Sequence, residues 1–247
     1  MNNTLYNFSK TIILSIIVLL SSTIVLSQNK TATVKNGITR KQAIEQSKKQ
    51  INQLSNSVLL VRLKTRKNSI SALRKGGQHK KADKIEKKQF QYNMKIVNGF
   101  KTKFDFCPTY FFYSDCSQAV LDKEFDKVQF LNDSLQYDTT ITFNKTTFLT
   151  AEFGIIEQDT MQYFDNFYYV PGTEDGLAKR SKYNGATNMT FGALIIKSDL
   201  FVQLRKPFPY YSRTLYSLPI RCKPKLVVEE MNIRLHRFQK RINNLEN

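Results

Sequence analysis

The sequence predicts an α+β protein in which a long basic N-terminal helical hairpin and a C-terminal amphipathic helix flank a mixed β-sheet domain. Apolar residues recur at helical spacing over residues 39–103, alternate or run together over residues 104–220, and return to helical spacing over residues 221–247. The composition, 41% hydrophobic and 12% aromatic, excludes a disordered chain. The 9 Gly and 6 Pro among 247 residues exclude a fibrous one.

The first 27 residues have the pattern of a secretory signal peptide. A basic residue precedes an uncharged apolar run, and Val25 and Ser27 place small side chains before a cleavage point at Gln28. The alternative is an uncleaved membrane anchor over residues 11–27, which is short for a span of roughly 20 residues. We therefore expect an exported protein, periplasmic or secreted, with residues 28–38 as a linker.

Residues 39–103 are predicted to form two antiparallel helices. The first begins at Thr39, which forms a capping-box pattern with Gln42. Its apolar face consists of Ile44, Ile51, Leu54, Val58 and Val61, extended by Leu59, Leu63, Ile70 and Leu73. Gly76 and Gly77 end this helix, because glycine is a poor interior residue and a good C-terminal cap. The second helix carries an apolar face from Ala82 to Phe100.

Positive charge is concentrated in this predicted hairpin. The chain has a formal net charge of +18, yet residues 30–103 carry 20 Lys or Arg and only 3 Asp or Glu, whereas residues 104–220 carry 10 and 14. Eleven of the cations crowd the region around the two glycines: Arg62, Lys64, Arg66, Lys67, Arg74, Lys75, Lys80, Lys81, Lys84, Lys87 and Lys88. Like charges four residues apart repel on a helix, and contact with an anionic membrane surface or polyanion would explain their crowding. The alternatives are a face that is simply solvated and a contact with a specific protein partner.

The segment 104–220 predicts strands, and two of its carboxylates are candidate catalytic residues. Glu152 lies within FLTAEFGII, a run expected to be buried, where a carboxylate has a raised pKa or a charged partner. Asp115 follows the run YFFY, at a strand end where α/β proteins place their sites. The alternatives are that Glu152 faces outward or pairs with Lys or Arg, and that Asp115 only ends its strand.

Other residue types offer little chemistry. The two histidines, His79 and His236, are far apart in the chain, which leaves little room for a catalytic triad or a histidine-based metal site. The pairing of Cys107, Cys116 and Cys222 stays open. We predict no metal and no cofactor, and no pattern identifies an enzyme.

The C-terminal segment has the clearest helical period in the chain. Its apolar seam is formed by Val228, Met231, Leu235, Phe238, Ile242 and Leu245. Such a seam must be buried, and we expect it to pack on the N-terminal hairpin as a third helix. Pairing with a second copy of residues 225–247 is the alternative.

The function hypothesis follows from the signal peptide and the separated charge. It is an exported, non-catalytic envelope or extracellular interaction protein whose basic hairpin contacts an acidic surface, either an anionic membrane or an acidic envelope polymer. Nucleic acid is disfavoured, because no binding motif accompanies the cations. The alternative hypothesis is a secreted hydrolase or small-ligand-binding domain in residues 104–220 that uses Glu152 or Asp115.

Overall fold

The computed structural model describes residues 37–159, 162–164, 167–169, 177–179, 190–214 and 223–244. The chain divides into one unit, Met1–Gly37, and a second compact unit, Ile38–Asn247. The predicted signal peptide, its alternative as a membrane anchor, and Cys222 lie outside the described residues.

The described residues form five α-helices and ten short strands. The helices are α1 Arg40–Ser55, α2 Lys67–Lys75, α3 His79–Lys103, α4 Ser117–Leu121 and α5 Pro224–Asn243. The strands are β1 Gly37–Thr39, β2 Val58–Leu63, β3 Thr109–Tyr113, β4 Phe130–Leu131, β5 Phe148–Ile155, β6 Gln162–Phe164, β7 Phe167–Tyr169, β8 Leu177–Lys179, β9 Gly192–Lys197 and β10 Tyr211–Arg213.

Six strands form one mixed sheet in the order β10-β9-β5-β2-β3-β4, and β1 with β6 and β7 with β8 form two small pairs. The strand β2 is parallel to both of its neighbours, β3 and β5, whereas β4, β9 and β10 join antiparallel. The predicted α+β class with a mixed sheet is confirmed.

The largest difference from the sequence prediction lies at residues 58–63. The predicted first helix runs through them, but the structure ends α1 at Ser55 and places β2 in the middle of the sheet. The spacing of Leu54, Val58 and Val61 fits a helix, yet the unbroken apolar run from Val58 to Val61 is what a strand buried on both faces requires. The single long helix is therefore wrong, and the basic segment supplies a strand at the centre of the sheet.

Two capping predictions are correct. The Thr39 hydroxyl accepts from the Gln42 backbone N–H at 3.2 Å, and the Gln42 side chain accepts from the Thr39 N–H at 2.9 Å. At the other predicted boundary, Gly76 caps α2, and Gly77 takes the left-handed conformation at φ +72°. The helix that leads into this turn, α2, has nine residues, so the first arm of the hairpin is shorter than the helix predicted from residue 39.

Helices α1, α3 and α5 cover one face of the sheet in a shared hydrophobic core. In α5, the predicted seam from Val228 to Ile242 is buried against this core. Gly99 of α3 allows the close approach, because an added Cβ there would lie 3.1 Å from the Lys225 Cα of α5. The C-terminal helix thus packs within its own chain, and the described residues of its seam are buried there. Leu245 lies outside the described residues.

The opposite face of the sheet carries a separate aromatic core. Leu60 of β2 packs there with Phe112, Phe143 and Phe148. The same face holds Arg62, because alternate residues of a strand point to the same side. A charged residue therefore ends a row of buried apolar ones at the carboxyl end of β2.

Candidate functional site

The parallel strands β2, β3 and β5 end at one edge of the sheet. This edge collects residues that are far apart in the chain, because parallel strands place their carboxyl ends together. Arg62 stands opposite Glu152 in the register of β2 and β5, and Asp115 follows β3 directly. Both predicted carboxylates thus lie near the same end of the sheet.

Glu152 is held by two cations. One carboxylate oxygen contacts the Arg62 guanidinium at 2.7 Å, and the other contacts Lys197 Nζ at 3.0 Å. Burial raises the pKa of Glu152, but Lys197 and Arg62 outweigh burial, so the net pKa is lowered. An ionised carboxylate has no proton to donate, and one with a lowered pKa and both oxygens engaged by cations is a weak base. The geometry therefore favours the alternative of an ion pair with Lys or Arg over acid or base catalysis by Glu152.

Asp115 is exposed and belongs to the connection after β3. Its carboxylate accepts a hydrogen bond from the Thr65 hydroxyl at 2.9 Å and lies 3.9 Å from Lys67 Nζ. Thr65 and Lys67 follow β2, so Asp115 joins the loops after two neighbouring strands. Through these contacts Asp115 connects the segment after β3 to the segment after β2.

The eleven predicted surface cations separate into two groups. Arg62, Lys67 and Arg74 are paired with carboxylates, and Arg74 bridges Asp83 at 3.1 Å and Glu86 at 2.7 Å. Arg62 lies in β2 rather than at the glycine turn, which corrects its assignment to the hairpin. Within the described parts of the chain, the other eight have no ion pair: Lys64, Arg66, Lys75, Lys80, Lys81, Lys84, Lys87 and Lys88.

Three of these unpaired cations line one groove, the β2–β5 groove, at the carboxyl ends of β2 and β5. Lys64 and Arg66 follow β2, and Lys88 comes from α3. The groove has a volume of about 680 Å³, and its lining contains no acidic residue. Tyr92 and Phe153 form an aromatic wall, edge to face, with ring centroids 6.0 Å apart. This combination of cations and apolar surface fits an anionic ligand or surface.

A buried amide, which the sequence analysis missed, holds this groove in shape. Asn93 of α3 is 3% exposed, and its Nδ2 donates to the Lys64 backbone carbonyl at 3.0 Å. Its Oδ1 accepts from Gln89 at 2.9 Å. The carboxyl end of β2 is thereby attached to α3. The signal in the sequence that could have indicated this role is that Asn93, a polar residue, lies on the apolar face of α3.

Arg66 adds a strained position to the groove. It precedes α2 with φ 55°, in the left-handed region that non-glycine residues seldom adopt. Its backbone carbonyl accepts from the Ile70 N–H at 3.0 Å, so the following helix holds this conformation. This strained residue lines the same groove as Lys64.

Cys107 and Cys116 are free thiols in this structure, so they do not form the disulfide that the sequence left open. We predict that Cys107 resists thiol reagents in the folded protein at mildly alkaline pH. It is buried, and burial raises the pKa of its thiol to about 12, which leaves little reactive thiolate. Mass-spectrometric mapping after brief labelling should find Cys107 modified only when denaturant is present. Equal labelling of Cys107 and the partly exposed Cys116 under native conditions would contradict this burial.

Comparison with known proteins gives no relative from which a role could be transferred: no family model, curated protein or solved structure matches this chain. Among the described residues, no helix is both long and apolar enough to cross a membrane. The described residues also hold no group of three or more His, Cys, Asp or Glu placed to bind a metal ion.

Proposed function

We propose that this protein is an exported, non-catalytic interaction protein that contacts the anionic surface of a membrane through its basic residues. The observation that carries the proposal is the β2–β5 groove, where Lys64, Arg66 and Lys88 meet without an acidic residue in the lining. These residues come from two separate elements. Their grouping in space supports a shared anionic partner more strongly than their grouping in sequence does.

Helix α3 extends the basic surface beyond the groove. Lys81, Lys84 and Lys88 are exposed and spaced so that they follow one side of the helix. Each Lys or Arg near an anionic membrane contributes about 1 kcal/mol of attraction. Eight unpaired cations are therefore sufficient for reversible binding that weakens as salt rises. The export part of the proposal is supported by the signal-peptide pattern of residues 1–27.

Liposome co-sedimentation tests this proposal. The full chain should bind vesicles that contain phosphatidylserine and should not bind neutral phosphatidylcholine vesicles. A variant with five exposed lysines of α3 changed to Gln should bind at least about tenfold more weakly, since five attractive charges are lost. The changed residues are Lys80, Lys81, Lys84, Lys87 and Lys88.

A matched control changes five exposed lysines elsewhere to Gln, which alters the net charge equally: Lys41, Lys49, Lys145, Lys225 and Lys240. This control should keep nearly full binding. The proposal fails if both variants lose binding equally, or if neutral vesicles bind as well as anionic ones. Binding to an acidic polysaccharide without binding to vesicles would also overturn the membrane as the partner.

A further inference from the structure

A second groove, on another part of the molecule, contains an arginine cluster that the sequence analysis did not single out. We call it the arginine groove. It has a volume of about 630 Å³ and lies between the start of α1, the C-terminal half of α5 and residues 206–211. Its five cations are Arg40, Lys206, Arg234, Arg237 and Arg241.

The charge of this groove is not balanced by its lining. No acidic residue lines it, and none of the five cations has an ion pair with a carboxylate among the residues that the structure describes. Glu229 and Glu230 of α5 line a neighbouring groove, which shares Arg234 and Arg237 with this one. Glu229 is paired with Lys103 at 2.7 Å, and neither glutamate forms an ion pair with a cation of the arginine groove among the described residues. A site with this excess of positive charge fits an anion that carries more than one negative charge.

The choice of arginine is informative. The chain contains 27 Lys and 11 Arg, yet four of the five cations in this groove are Arg. Arg234, Arg237 and Arg241 follow one another at three and four residues, so α5 presents them on adjacent turns. The planar guanidinium binds phosphate with two parallel hydrogen bonds and stacks on aromatic rings, which lysine cannot do.

Aromatic residues surround the cations and hold some of them in place. Arg234 donates to the Tyr211 backbone carbonyl at 2.6 Å, and its guanidinium lies 5.3 Å from the centre of the Tyr211 ring. Arg241 stands 5.6 Å from the centre of the Phe238 ring. Such contacts orient the guanidinium groups before any ligand arrives.

The apolar wall is also anchored. The Phe208 backbone N–H donates to the buried Ser47 hydroxyl of α1 at 3.1 Å, and the Phe208 ring packs on Phe238 with centroids 6.2 Å apart. The wall therefore belongs to the folded core and is formed before binding. A groove of this volume accommodates a small organic molecule.

We propose that the arginine groove binds a small soluble organic phosphate in which the phosphate is attached to an aromatic group. A phosphomonoester carries a charge near −2 and three strong acceptor oxygens, which suits several guanidinium groups. The aromatic wall lies directly beside those groups, so the apolar part of the ligand must be adjacent to its phosphate. A membrane lipid meets this condition poorly, because its apolar part stays within the bilayer. This inference is independent of the proposed membrane contact.

Phenyl phosphate is the probe for the full chain, with inorganic phosphate and benzyl alcohol as comparisons in isothermal titration calorimetry. Phenyl phosphate should bind at least about tenfold more tightly than either comparison, because each of them lacks one half of the ligand. The double variant R237Q/R241Q should bind phenyl phosphate at least about tenfold more weakly through the loss of charge-assisted hydrogen bonds.

Two further variants keep the test specific. The double variant K225Q/K240Q, on the same helix but outside the groove, removes the same charge and should bind as the wild type does. The five-lysine α3 variant should also keep its affinity for phenyl phosphate. The inference is overturned if wild-type protein does not bind phenyl phosphate at millimolar concentration, or if R237Q/R241Q binds it equally well. Loss of binding to anionic vesicles by R237Q/R241Q would assign these cations to the membrane and would overturn a soluble ligand.

Discussion

Replacement of Leu60 by alanine is expected to lower the free energy of unfolding by about 2–5 kcal/mol, the usual range for a leucine deleted from a core. Leu60 is 0% exposed and lies in the middle of β2, between the parallel strands β3 and β5. Its side chain packs with Phe112 and Phe148, which cannot close the resulting cavity without moving the sheet. Urea denaturation followed by circular dichroism measures the change.

This substitution distinguishes the strand from the helix that the apolar spacing predicts. In that helix Leu60 would lie opposite the seam of Ile51, Leu54 and Val58 and would face solvent, so its truncation would cost little. The matched control is Leu200→Ala, at a residue that is 59% exposed, which should change the free energy of unfolding by less than about 0.5 kcal/mol. Equal, small effects of Leu60→Ala and Leu200→Ala would contradict the position of β2.

Glu152→Gln is expected to lower the free energy of unfolding by about 3 kcal/mol at neutral pH. The substitution keeps the shape of the side chain but leaves Arg62 and Lys197 without their shared counter-charge. Breaking a buried ion pair from one side costs about 3–5 kcal/mol, and the partial exposure of Arg62 places this case at the lower end. The control is Glu157→Gln, because Glu157 contacts Lys197 at 3.4 Å but is exposed.

The difference between wild type and Glu152→Gln should depend on pH in a defined direction. The pKa of Glu152 is lowered in the folded protein from its usual value of 4.5. The contribution of the carboxylate is therefore fully present above pH 4.5 and is lost as the pH falls through the lower, folded pKa. Denaturation curves at neutral pH and across the acid range should converge for the two proteins. A difference that stays constant into strong acid would show that the ion pairs are not its source.

Several elements could be predicted because their signals are local. The seam of α5 repeats at three and four residues over about five turns, a period that no strand shares, and its described members are buried. The Thr39–Gln42 cap and the turn at Gly76–Gly77 depend on residues within a few positions of each other. The strand β5 was expected from a long β-branched and aromatic run.

The strand β2 could not be recognised in the same way. It has only six residues, and in so short an apolar run the three-and-four spacing of a helix and the continuous pattern of a buried strand overlap. What decides between them is burial on both faces, and this depends on α1, α3 and α5 on one side and on the aromatic core on the other. None of these contacts is local.

The same limit applies to the candidate sites. Glu152 was expected to need a partner if buried, but Arg62 and Lys197 lie 90 and 45 positions away in the chain. Arg237 and Arg241 lie near the C-terminus of α5, where a positive charge interacts favourably with the helix dipole. They line a groove only because residues 206–211 pack beside this helix, and the sequence does not show that contact.

The sequence by itself determined the α+β class, the helical caps and turn, the amphipathic α5 and the concentration of positive charge, because these follow from residue type and from spacing within a few turns. The tertiary structure alone decided that the basic segment supplies the central strand and that Glu152 forms ion pairs with Arg62 and Lys197. It also decided that cations from separate elements line two grooves. Strand pairing and burial bring together residues that are distant in the chain, and the free energy of those contacts outweighs the weaker local preferences.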